Sequence, residues 1–172
     1  MESKIRQESK DDFKAVFEVN RLAFQQESEA KLVELLRDSD AFISELSLVA
    51  ELNNQIVGHI LFTKIKIVNG DNETESLALA PMAVRPEVQH QGIGGQLIKR
   101  GLEIAKALQY KSVIVLGHKD YYPKFGFVPA DNWAIKSPYD VPANVFLALE
   151  LVTDGLKDSR GLVKYPKEFE SV

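Results

Sequence analysis

LALAPMAVRPEVQHQGIGGQLIKRGLEIAKAL, residues 77–108, divides into an apolar run (77–84) that reads as a strand, a polar turn (85–91) and a helix that begins at Gly92. Gly92, Gly94 and Gly95 sit where the turn becomes the helix. The first amides of a helix have no intrahelical partner, the helix dipole favours negative charge there, and glycine leaves no Cβ to keep a ligand off the main chain. Such a start is suited to holding a phosphate. The same glycines could instead serve only to let helix and strand pack closely.

Spacing narrows the choice of phosphate ligand. Counted from Gly92, the third glycine of a Rossmann G-x-G-x-x-G fingerprint falls on Leu97, and the G-K-[ST] of a P-loop occurs nowhere in the chain. A dinucleotide-binding oxidoreductase is disfavoured on that ground. What remains is Gln89-x-x-Gly92-x-Gly94. It resembles the [QR]-x-x-G-x-[GA] pyrophosphate loop of the GNAT N-acetyltransferases, the acyl-CoA-dependent superfamily. A second segment extends the resemblance. Residues 112–117, SVIVLG, form a β-branched run that reads as a buried strand, and HKDYYPKFGF follows over 118–127. Its Y-x-x-x-G-F pattern, at Tyr122, Gly126 and Phe127, is similar to the second half of the GNAT core, where a tyrosine stands on a short helix after the fifth strand. The LGHKDYYPKFGF wording, the APMAV strand and the closing segment 161–165 resemble the YhbS-like branch of bacterial GNAT proteins. The resemblance spans roughly residues 5–169 and is sharp between 77 and 127.

That resemblance implies a mixed α/β (α+β) fold: a mostly antiparallel sheet with one parallel strand pair and covering helices, in a single acyl-CoA N-acyltransferase domain over 1–172. It implies acetyl-CoA as cosubstrate and transfer of the acetyl group to a primary amine, on a small molecule or peptide, by direct attack in a ternary complex. The pantetheine arm is then expected on main-chain groups of Met82, Ala83 and Val84. The pyrophosphate is expected on Gln89, His90, Gln91, Gly92, Ile93, Gly94, Gly95 and Gln96. The resemblance makes Tyr122 the general acid; its plain alternative is packing against Phe125 and Phe127. A thiolate leaving group has a reference pKa of about 8.5, below the ~10 of a phenol, so such an acid contributes about 10²-fold.

An attacking amine must first lose a proton, because a lysine-like ammonium near pKa ~10.4 is charged at neutral pH. His118, directly after the strand at 112–117, is the candidate base, with Asp120, Glu75 and Glu51 behind it. The plain alternative is that His118 belongs to the turn. His59 reads as a satisfied core or groove residue and His90 as part of the phosphate loop. Three scattered histidines without a carboxylate at ligand spacing make no metal site.

Composition sets the outer bounds. With 172 residues, 45% of them hydrophobic, the chain suits one core, and its net charge of −4 argues against a polyanion binder while favouring a cationic substrate. There is no cysteine, hence no disulfide and no cysteine acyl-enzyme. The charged start, MESKIRQESKDD, is unlike a signal peptide, and no apolar run reaches membrane-spanning length. A cytoplasmic protein, monomer or homodimer, without nucleic-acid or membrane partners, is the expectation. The rival from another class is a non-catalytic CoA-binding sensor or interaction module of the same fold, against which Tyr122 weighs.

Asp11 and Asp12 can cap a first helix with Phe13, Val16, Phe17 and Phe24 on or near one stripe, and Ser28 can open a second with Leu32, Leu35 and Leu36 inward. Strands are expected at 42–52 and 55–68 about an Asn53-Asn54 turn, then after Asn69-Gly70-Asp71. The helix after Gly92, with Leu97, Ile98, Leu102, Ala105 and Leu108 inward, is long enough for a crossover, which makes the strand at 112 parallel to the one at 77. Further strands are expected near 133–137 and 145–152. Substrate specificity is expected in the segments 24–39 and 129–144, the second rich in Pro and Asp.

Overall fold

The computed structural model describes residues 3–171. In chain order its elements are β1 (Lys4–Gln7), α1 (Phe13–Phe24), α2 (Ser28–Arg37), β2 (Ser47–Leu52), β3 (Gln55–Asn69), β4 (Asn72–Val84), α3 (Ile93–Ala107), β5 (Ser112–Leu116), β6 (Val128–Pro129), β7 (Ile135–Lys136), β8 (Phe146–Glu150) and β9 (Gly161–Lys164), joined by several 3₁₀ turns. The chain forms two compact units. One holds the residues up to Thr63, then 80–104 and those from Lys167 on; the other holds 64–79 and 105–166.

In the first unit β1, β2 and β3 pair antiparallel, with Lys4 opposite Glu51 and Ser47 opposite Leu61. Asn53 and Asn54 close the β2–β3 hairpin with φ of 52° and 62°, the left-handed pair a two-residue turn requires and asparagine tolerates. Val16 and Val19 of α1 and Leu32, Val33 and Leu36 of α2 pack in one apolar cluster with Val49, Leu61 and Ala83, and Phe169 near the C-terminus packs against it. The buried stripes are narrower than the sequence suggests. Phe13, Phe24 and Leu35 are exposed, and the strand expected from 42 begins at Ser47 after a 3₁₀ turn. Leu35 lies 100° around the helix from Leu36, outside the arc set by Leu32 and Leu36. Phe13 instead carries the Arg37 guanidinium, 3.8 Å above its ring. In α3, Leu97, Ile98 and Ala105 are buried as expected, whereas Leu108 falls past the helix end and is exposed.

Beneath α1 and α2 lies a buried polar cluster drawn from separate elements. The Arg37 guanidinium donates through Nε and Nη2 to both oxygens of Glu8, at 3.0 and 2.9 Å. His59, fully buried on β3, contacts Ser47 Oγ at 3.1 Å through Nε2 and Asn20 Nδ2 at 3.4 Å through Nδ1, with Glu8 Oε2 4.0 Å away. Asn20 Nδ2 also donates to Val16 O at 3.0 Å. Because an amide NH₂ can only donate, Nδ1 of His59 accepts and the ring proton sits on Nε2 facing Ser47. Burial pushes the His59 pKa down to about 4, with Glu8 opposing and Arg37 assisting.

In the second unit β4 and β5 run parallel, Leu77 opposite Val113, as the crossover through α3 requires. β5 pairs antiparallel with β8, β8 with β6, and the end of β3 with β9; the two-residue β7 runs parallel to β9. Ile65, Ile67, Ala78, Ile114 and Phe146 lead its core. Ser76 and Ser112 hydroxyls, buried on the neighbouring parallel strands, satisfy each other at 2.7 Å. The architecture is thus the expected mixed α/β fold, mostly antiparallel, with β4–β5 the expected parallel pair.

Candidate active site

The glycine loop lies wholly in the first unit. After β4 the Arg85 amide donates to Val57 O at 2.8 Å, a 3₁₀ turn over Pro86–Val88 follows, and the exposed Gln89 side chain reaches back to donate to Val84 O at 2.9 Å. His90 and Gly92 then take positive φ, 65° and 86°. A Cβ on Gly92 would meet nothing within 4 Å, so what this position requires is the left-handed backbone, and the space outside it is open. The Gln96 amide is the first in α3 to find a carbonyl one turn back, that of Gly92 at 3.1 Å. The amides of Ile93, Gly94 and Gly95 therefore precede the first helical bond, in the position that suits an anion. Leu97, where a Rossmann loop has glycine, is fully buried, its Cδ1 3.1 Å from where a Gly58 Cβ would lie; the helix start is seated by apolar packing. His90, Gln91 and Gln96 are exposed, Ile93 is buried, and Gly94 and Gly95 are half-buried. At the end of β4, Ala83 faces the core while Met82 and Val84 are half-buried.

Tyr122 and His118 belong to the second unit. Past β5 the Gly117 amide donates to Val145 O at 2.9 Å, and the His118 carbonyl accepts from the amides of Tyr121 and Tyr122 at 3.2 and 3.3 Å. This places Tyr122 at the head of a 3₁₀ turn, Tyr122–Phe125, that ends on Gly126 with φ 98°. The Tyr122 ring lies directly on Gly117: a Cβ there would stand 2.3 Å from Tyr122 Cε2, so only glycine admits it. Tyr121 and Phe127 meet the ring edge-on, at centroid distances of 5.2 and 5.7 Å. The residue is 9% exposed, so the ring is buried, and its hydroxyl bonds to no other described residue. Desolvation, with a smaller contribution from Tyr121, pushes the phenol pKa up to about 12. The His118 side chain is exposed and unpartnered among the described residues. Glu51, a weaker candidate base, is engaged by Arg6 at 3.1 Å.

The sequence did not reveal Gly117 as the seat of Tyr122, although a glycine closing a strand five residues before the tyrosine was the visible sign. Nor did it reveal that Gln89 spends its side-chain amide on Val84, closing the loop onto the strand that precedes it. Among the described residues no group of three or more His, Asp or Glu side chains could hold a metal ion, and no helix is long and apolar enough to cross a membrane.

A loop of this form before α3 and a phenol after β5 are the two sequence signatures of one acyltransferase family, and the chain belongs to it: residues 13–127 match the Acetyltransferase (GNAT) family. Among its relatives in Escherichia coli K12, the uncharacterized N-acetyltransferase YjhQ is 39% identical over 134 residues, 77% of this chain and 74% of YjhQ. YhbS, also described as an uncharacterized N-acetyltransferase, is 31% identical over 150 residues, 87% of each chain. The crystal structure of E. coli YhbS in complex with CoA superimposes with a TM-score of 0.90 at 28% identity, covering 98% of this chain and 92% of that one. A GNAT family acetyltransferase from Brucella melitensis in complex with acetyl-CoA gives 0.80 at 31% identity, covering 98% of both.

Proposed function

We propose that the chain is a single acetyl-CoA-dependent N-acetyltransferase domain that acetylates a primary amine by direct attack in a ternary complex. The observation that carries this reading is a hydroxyl engaged by no other described residue on the buried, glycine-seated ring of Tyr122, in a chain whose α3 follows the open backbone of Gly92. A module that only bound CoA has no use for such a phenol. The relatives with CoA and acetyl-CoA bound support the choice of cosubstrate.

In this reading the amides of Ile93, Gly94 and Gly95 receive the pyrophosphate, with Gln89 holding the loop closed and His90, Gln91 and Gln96 at its rim. Main-chain groups of Met82, Ala83 and Val84 receive the pantetheine amides. When bound, the thioester supplies an activated acyl carbon and a thiolate leaving group. Tyr122 keeps its proton on Oη throughout the physiological range, because its pKa is pushed up to about 12, and presents it to the departing sulfur. His118 takes the proton the amine must lose.

The cofactor assignment is tested at Gly94. Gly94→Asp puts a carboxylate beside the amides that would receive the pyrophosphate, so calorimetry on the folded variant is expected to show acetyl-CoA affinity at least about tenfold lower, a loss of about 1.4 kcal/mol. Unchanged affinity overturns the assignment. CoA release with a panel of amines then separates an enzyme from a CoA-binding module, which shows none.

The base is tested by a pH profile on a strongly basic amine. With His118 as base, His118→Gln lowers kcat/KM and changes its pH profile while leaving CoA affinity intact. A substrate-controlled profile rises instead near the amine's own pKa of ~10.4, in both proteins. Identical profiles would leave His118 with its observed task of holding the turn through its carbonyl.

A further inference from the structure

The segment marked in the sequence for specificity, 129–144, folds with Phe146 around a cavity of about 210 Å³. Its floor is apolar, set by the buried Ile135 and Phe146, with Val141 and Ala143 beside them. Tyr139, 45% exposed, forms an aromatic wall and rests against Tyr165 with ring centroids 5.6 Å apart. Two carboxylates stand at the rim, and they differ. Asp131 is neutralised by Lys136, whereas Asp140 is paired with no cation among the described residues. The cavity is tied to the strand pair that carries the phenol. Phe146 is the β8 partner of Leu116, and Val145 O accepts from Gly117, the residue on which the Tyr122 ring lies.

An apolar floor, an exposed aromatic face and one uncompensated negative charge are together complementary to an alkyl chain that ends in a cation. The chain sheds water against Ile135 and Phe146, while the charge faces Asp140 and the Tyr139 ring. An anion would be repelled, and an uncharged chain would leave Asp140 unanswered. We infer that this cavity binds a short aliphatic ammonium group, as a second charged end of the acceptor; the inference rests on the amine-acylating reading above. The acceptor class it selects is an amine with a further cationic group on a short alkyl spacer.

The test is calorimetric titration with 1,5-diaminopentane in the absence of an acyl donor, with 1-pentanol as the uncharged comparison. The diamine is expected to bind and the alcohol to bind at least about tenfold more weakly. Asp140→Asn is expected to weaken the diamine about fivefold, the upper range for an exposed ion pair. Ala143→Leu fills the cavity and leaves Asp140 and Tyr139 in place; it is expected to weaken the diamine about tenfold or more. Thermal unfolding checks that both variants, altered at exposed positions, remain folded. No diamine binding, equal affinity for diamine and alcohol, or an unchanged diamine affinity in folded Ala143→Leu overturns the proposal. Acetyl-CoA titrated into the same preparations keeps the two readings apart: failure to bind it overturns the acetyltransferase reading and leaves the diamine result to decide the cavity.

Discussion

Tyr122→Phe is expected to leave acetyl-CoA affinity and the unfolding temperature unchanged and to lower kcat by roughly 10²-fold with any amine the enzyme accepts. The ring does the packing: it fills the space over Gly117 and meets Tyr121 and Phe127 edge-on, and phenylalanine keeps all of that. Only the hydroxyl is lost, and it bonds to no other described residue. The size of the effect follows from the proton balance. A phenol at about pKa 12 is a weaker acid than the thiol it would create, of reference pKa ~8.5, so complete proton transfer to the sulfur is uphill. In the proposed mechanism the phenol then contributes a hydrogen bond to the sulfur as charge develops there, worth about 1.5–3 kcal/mol for a charged acceptor, and 10²-fold corresponds to about 2.7 kcal/mol. The same elevation means that kcat shows no descending limb from Tyr122 at any pH below about 11. A folded Phe variant with normal turnover would reduce Tyr122 to a packing residue.

What could be read in the sequence follows from how local each feature is. The strand, turn and helix of 77–108 are set by neighbours in the chain, and the structure has them where the glycines and the apolar run place them. The Asn53-Asn54 hairpin is equally local. Helix faces were legible only in part, since a leucine-rich helix such as α2 offers several apolar arcs and only its partners choose one; hence Leu35 is exposed and Val33 is buried. The burial of His59 was foreseeable from the apolar strand around it, but its partners were not. Asn20, Ser47, Glu8 and Arg37 come from other segments and carry no common pattern. In the same way the segment 129–144 could be marked for specificity, whereas the distinction between the neutralised Asp131 and Asp140, unpaired among the described residues, depends on where Lys136 folds back.

The cluster around His59 leads to the other large effect, on stability. Its folded pKa is near 4 against 6.5 for the free side chain, so below 6.5 the unfolded chain takes up a proton that the folded protein refuses. Stability conferred by the neutral ring is complete above about pH 6.5 and falls as pH drops toward 4, by about 3 kcal/mol over the whole window and about 2 kcal/mol by pH 5. Asp12 acts in a separate range: the Arg6 guanidinium bonds hold its pKa near 2, and its contribution is lost only below about 3.8. Arg37→Met should cost about 3 kcal/mol at pH 7.5, because it leaves Glu8, 4% exposed, without its bidentate partner. The same variant should be less sensitive to acid. Arg37 helps to hold the His59 pKa down, and with it gone a protonated His59, 4.0 Å from Glu8, can neutralise the stranded carboxylate. Urea unfolding at pH 7.5 and pH 5 reads both effects: the wild type loses about 2 kcal/mol between them and Arg37→Met distinctly less. Equal wild-type stability at the two pH values would mean that His59 takes up its proton in the folded protein as readily as in the unfolded chain, and a Met variant as stable as wild type at pH 7.5 would mean that Glu8 finds water where the structure buries it.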